Sequence, residues 1–184
     1  MRSRARVLGH SVHQMLVVFP LGLLGTAAVF DVIFLFTRNL GVANAAYWMI
    51  LAGLITGLLA AVFGIIDWSA IPRGTRANRI GLTHAIVNVA ALSLFAISFA
   101  LRTADASSPP PLAVALSLAG LAVAVLGGWL GGELVTRLGV GVDDGANLNA
   151  PNSIAHPSAL DSVARRAVST TSPRTPDKRP PGGF

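Results

Sequence analysis

Asp67-Trp68-Ser69-Ala70-Ile71-Pro72-Arg73-Gly74-Thr75-Arg76-Ala77-Asn78-Arg79-Ile80-Gly81-Leu82-Thr83-His84 is the stretch that decides the fold. An apolar run ends at Asp67, and another begins where the arginines stop. A short basic segment between two such runs is a loop joining two membrane helices. Arg73, Arg76 and Arg79 also set its side, because short loops rich in Lys and Arg stay in the cytoplasm.

Working outward, four apolar runs reach the length of a span, about 20 residues for a hydrocarbon core of roughly 30 Å. They place helices at about 13–36, 45–68, 80–101 and 112–135. The balance of residues agrees: 53% are hydrophobic and only 12% charged, where a soluble domain carries about 25% charged residues. The expected fold class is therefore all-α, a polytopic membrane protein built as a four-transmembrane-helix bundle. A basic N-terminal segment, 1–12, precedes the transmembrane domain at 13–140, and a disordered C-terminal tail, 141–184, follows it. The tail is rich in Ser, Pro, Asp and Arg and cannot bury enough apolar surface to fold.

A basic start before an apolar run also describes a secretory signal. The run from Met15 to Phe36 is 22 residues long, beyond the usual apolar core of such a signal, and further spans follow. The formal charge of +6 lacks the basic–aromatic interleaving of a nucleic-acid surface, so no nucleic-acid partner is expected. The chain has no cysteine, which excludes disulfides, thiolate metal sites and any iron–sulfur cluster held by this chain alone. The expected surroundings are a lipid bilayer.

Each span carries one informative stripe. In the first, Pro20 removes a backbone donor and predicts a kink. His13, Val17, Pro20, Leu24, Ala27 or Ala28, and Asp31 share one face, which should point into the bundle because ionisable groups in lipid are costly. In the second, Gly53, Gly57, Ala60, Gly64 and Asp67 form a smooth face of small residues. The third aligns His84, Asn88, Leu92, Phe95 and Phe99. In the fourth, Gly120, Gly127, Gly128, Gly131 and Gly132 allow close helix approach within the chain or in a homo-oligomer. Glu133 lies four residues before Arg137, the favourable order for an ion pair on a helix surface.

Topology follows by counting. Four spans put both termini and the 69–79 loop on one side. That side has Arg2, Arg4, Arg6, Arg73, Arg76, Arg79 and Arg137, against Arg38 and Arg102 on the other, so the termini are expected in the cytoplasm.

The expected site lies near that cytoplasmic end, where His10, His13, Asp67 and His84 converge. As metal ligands these four suit zinc, iron or manganese. As axial ligands, His13 and His84 suit haem b. The alternative is a non-catalytic structural or partner-binding protein, in which the polar cluster only ties helices together. Asp31, Asn88 and Glu133 are the other intramembrane polar groups, and a His13–Asp31 path for protons is a further reading. No residues are expected to be catalytic: the serines have no patterned base and there is no strand–turn–helix elbow.

An ordered set of short motifs carries a resemblance. These are Gly9-His10-Ser11-Val12-His13, Phe19-Pro20-Leu21-Gly22-Leu23, Asp31, Gly64-Ile65-Ile66-Asp67-Trp68, Ile71-Pro72-Arg73-Gly74-Thr75, Gly81-Leu82-Thr83-His84 and Gly128-Trp129-Leu130-Gly131-Gly132-Glu133. Over about residues 9–142 the chain resembles the bacterial membrane family called domain of unknown function 2231. The resemblance implies a four-helix inner-membrane protein with no established activity. Some relatives are joined to Rieske-type iron–sulfur domains, which implies electron transfer and a redox partner protein. Many relatives carry a further histidine where this chain has Val18, and prolines where it has Ser11 and Gln14.

Overall fold

Each of the four apolar runs becomes a helix long enough to span a membrane in the computed structural model, which describes residues 1–102 and 105–153. The spans are Val12–Thr37, Leu40–Trp68, Arg76–Leu101 and Pro111–Thr136, with mean hydropathies of 2.2, 2.5, 2.0 and 2.1. Only 17–28% of each apolar window is buried within the chain. Most of the apolar surface therefore faces outward, as it must where the surrounding solvent is hydrocarbon.

The elements in order are β1 (Arg6–Val7), β2 (His10–Ser11), α1 (Val12–Leu16), α2 (Val18–Thr37), α3 (Leu40–Trp68), α4 (Arg76–Leu101) and α5 (Pro111–Thr136). The first span is interrupted at Val17, beside the Leu16 carbonyl that Pro20 deprives of a donor. The helices α2, α3, α4 and α5 form a closed ring in which each packs on its sequence neighbours and α5 returns to α2.

Two helices start earlier than expected, and in each case a capping side chain sets the boundary. The Asn39 side chain accepts from the amides of Gly41 and Val42, so α3 begins at Leu40 rather than 45. Thr75 accepts from the amide of Asn78, so α4 begins at Arg76 rather than 80. A polar first turn thus belongs to the helix and shortens the basic loop.

The small residues let the helices meet. A side chain at Gly53 would strike Leu24, one at Gly57 would strike Leu92, and one at Gly120 would strike Phe95. Around these contacts Leu24, Ala27, Ala46, Ile50 and Phe95 form the buried core. Pro20, Leu24, Ala27, Ala28 and Asp31 are all buried, as the stripe on the first span requires.

The N-terminal segment departs from the all-helical expectation. Residues 6–11 make a small antiparallel hairpin pairing Arg6 with Ser11 and Val7 with His10. Leu8 and Gly9 turn it with φ of 49° and 86°, positive at both positions as a two-residue primed turn demands. Part of the expected tail is also folded: the Gly141 amide donates to the Met1 carbonyl at 2.9 Å. Residues 154–184 of that tail lie outside the described residues.

Candidate functional site

The bundle end that carries the N-terminus holds a pair of imidazoles. His13 of α1 and His84 of α4 stand with ring centroids 6.4 Å apart and ring planes at 85°. His13 Nδ1 lies 2.8 Å from the Ala60 carbonyl of α3, and His84 Nδ1 lies 2.9 Å from the Gly127 carbonyl of α5. A carbonyl only accepts, so each Nδ1 is the N–H donor and each Nε2 of the neutral ring keeps its lone pair. Metal-ligating histidines are oriented by the same kind of bond, and His84 Nε2 also has the Asn88 amide 3.4 Å away.

Glycines make room for the rings. A Cβ at Gly64 would sit 3.0 Å from His13 Cε1, and one at Gly131 would sit 3.1 Å from His84 Cε1. The Asn88 amide donates to the His84 backbone carbonyl at 2.8 Å and lies against the imidazole, in space left by Gly127. The glycine stripes of α3 and α5 thus admit the two rings as well as the helix contacts.

His10 and Asp67 do not join this pair. His10 is exposed on β2, its Nδ1 3.1 Å from the Leu8 carbonyl within its own turn. Asp67 accepts from Ser3 Oγ at 2.6 and 2.7 Å and from the amides of Arg4 and Ala5 at 2.8 and 3.1 Å, with Ser11 Oγ at 3.4 Å. Its partners are therefore hydroxyls and main chain, where the histidines were expected. Among the described residues, no group of three or more His, Asp or Glu side chains is placed to hold a metal ion. The expected four-residue metal set is not assembled, because the hairpin carries His10 away and the segment before it occupies Asp67.

Asp143 fixes the same segment from the other side. Arg6 makes a two-point pair with it at 2.7 and 3.0 Å, and Arg2 Nε is 3.3 Å away. The hydrogen bond from Arg6 holds the Asp143 carboxyl below its ordinary value and raises the guanidinium of Arg6 in return. Glu133 pairs with Arg76 at 2.6 Å; the expected partner Arg137 caps the end of α5 instead.

Asp31 belongs to a second cluster at the opposite end. Arg102, expected at the wet interface, is fully buried and meets Asp31 at 2.7 and 2.6 Å through its two terminal nitrogens. Ser117 also donates to Asp31, Ser98 lies 3.2–3.3 Å from the guanidinium, and Ser98 donates to the Ala113 carbonyl at 2.6 Å. One dry network thus joins α2, α4 and α5, and no path from His13 to Asp31 is needed to explain the acid. Two sequence signals pointed to it. An acid within a span requires a partner, and Ser98 lies one turn before Arg102 on the same face.

Four apolar helices in a ring, with ionisable groups confined to their inner faces and ends, define a four-helix integral membrane protein. The chain belongs to the family described as Predicted membrane protein (DUF2231), whose profile matches residues 9–144. No curated protein and no solved structure matches it.

Proposed function

We propose that this membrane protein is a redox subunit that holds one haem b between His13 and His84. The facing pair of oriented imidazoles carries the reading. Their ring centroids lie 6.4 Å apart, so the two imidazoles share one site. A closed divalent site needs about four ligands and this pair offers two, whereas two axial histidines suffice for a haem iron. The donor set therefore fits haem and does not fit a structural metal.

In this reading His13 and His84 grip the iron from two helices. Their carbonyl partners at Ala60 and Gly127 hold the ring orientation and make each Nε2 a better donor. The group itself would supply one-electron transfer. Titrating purified protein with haemin tests it. A Soret band saturating at equimolar haemin, lost in both His13→Ala and His84→Ala, is the expected result; a spectrum of free haemin throughout overturns the proposal.

One observation favours a second reading, in which the cluster only ties helices together. Among the described residues every buried side-chain nitrogen and oxygen already has a hydrogen-bond partner. Loss of thermal stability in His13→Ala, with no haemin bound by the unaltered protein, is the signature of that role.

The arginine count supports an inner-membrane location with both termini in the cytoplasm. Burial of Arg102 beside Asp31 strengthens the bias, leaving Arg38 as the exposed arginine opposite the seven. A reporter fused after Arg137 should be active only in the cytoplasm, and activity only on the far side contradicts this orientation.

A further inference from the structure

Seven arginines gather at the end of the bundle that carries the N-terminus, and the structure sorts them into two kinds. Arg2 and Arg6 are held by Asp143, and Arg76 by Glu133. Arg4, Arg73, Arg79 and Arg137 are exposed, and their side chains have no partner among the described residues. The acids that might neutralise them are committed. Asp67 is enclosed by Ser3 and main-chain amides, Glu133 is paired with Arg76, Asp143 is taken by Arg6, and Asp144 lies 3.7 Å from the N-terminal ammonium.

These four guanidinium groups lie where headgroups would be. The Arg4 amide is bound to Asp67 at the end of α3, Arg73 and Arg79 flank the start of α4, and Arg137 caps α5. The Arg76–Glu133 pair links the α4 and α5 positions directly. Trp129 is exposed on α5 two turns before Arg137, a residue suited to the boundary between acyl chains and headgroups. At the opposite end Arg102 is buried with Asp31, and Arg38 lies over the Phe34 ring at 5.7 Å. Among the described residues, the surplus of unpaired positive charge is thus concentrated on one rim.

We infer that Arg4, Arg73, Arg79 and Arg137 form a binding rim for the phosphate headgroups of anionic phospholipids in the leaflet at that end. The inference does not depend on haem, since none of the four touches His13 or His84. Guanidinium suits a phosphate through two parallel hydrogen bonds. Each arginine near an anionic surface contributes about a fivefold preference, and salt weakens it.

Lipid retained by the purified full-length protein, measured by native mass spectrometry after exchange into phosphatidylglycerol or phosphatidylcholine micelles, tests the rim. The unaltered protein should retain phosphatidylglycerol at least about tenfold better, and R4Q/R73Q/R79Q/R137Q should show no preference. R38Q, at the other end, should match the unaltered protein. If the fourfold variant does not fold, R73Q/R79Q should still lose most of the preference. Equal retention of both lipids by the unaltered protein, or an undiminished preference in the variants, overturns the inference. Competition by inorganic phosphate at the concentration that displaces phosphatidylglycerol also overturns it, because the rim would then be an anion site indifferent to the bilayer.

Discussion

The two ends of this bundle solve the same problem in opposite ways. At one end Asp31 and Arg102 neutralise each other in complete burial, with Ser98 and Ser117 filling the remaining hydrogen-bond capacity. At the other end Asp67 has no cation beside it among the described residues and is held by hydroxyls and amides, near the imidazoles of His13 and His84 that backbone carbonyls orient. The first arrangement is closed on itself and has nothing to offer a ligand. The second leaves lone pairs at a partly exposed site.

The largest effect should come from breaking the dry end. Arg102→Ala leaves Asp31 buried without its cation, which typically costs about 3–5 kcal/mol. Its thermal stability in detergent should collapse, while replacing both partners by apolar residues, D31L/R102M, should restore much of it. A near-silent Arg102→Ala would mean that water reaches Asp31.

Asp67 should matter less. Asp67→Ala strands the amides of Arg4 and Ala5 and the Ser3 hydroxyl, about 1–3 kcal/mol for a half-buried group. Asp67→Asn should fall between, since its carbonyl oxygen still accepts from the amides. Faster proteolytic cleavage within residues 1–11, ahead of any global unfolding, is the expected readout. Unchanged cleavage in Asp67→Ala would show that the segment is anchored elsewhere.

The smallest effect is acid release of the same segment. The hydrogen bond from Arg6 lowers the Asp143 carboxyl from its ordinary 3.8. A lowered carboxyl stabilises the fold above its unfolded value, and that contribution is lost as pH falls through the folded value. Amides of β1 and β2 should therefore exchange faster with solvent only once the pH drops below 3.8. In Asp143→Asn they should be equally fast at neutral pH, and an unaltered pH profile in that variant would exclude the Arg6 pair as the latch.

Much of the fold could be read from residue order. The four spans, the buried stripe from Pro20 to Asp31 and the glycine faces follow from period and side-chain size alone. The boundaries at Leu40 and Arg76 were missed because apolar runs understate helices whose first turn is polar, although Asn39 and Thr75 are themselves capping residues. The site was half legible. His13 and His84 share a level because their distances from the span ends match, and the structure brings them together. The partner of Asp67 was not legible, because backbone amides carry no signature in a sequence. Arg102 was misplaced by counting it as an interfacial charge, when the acid inside the first span was the stronger clue.

On the function proposed above, His13 and His84 would hold a haem iron between two crossed imidazoles. Electron paramagnetic resonance of the oxidised, haem-loaded protein tests this most directly. Two histidine ligands give six-coordinate low-spin iron, and ring planes at 85° predict the strongly anisotropic signal of perpendicular imidazoles. His13→Ala and His84→Ala should each convert it to a high-spin spectrum. A high-spin spectrum from the unaltered protein, or a low-spin signal that survives loss of either histidine, would contradict the account.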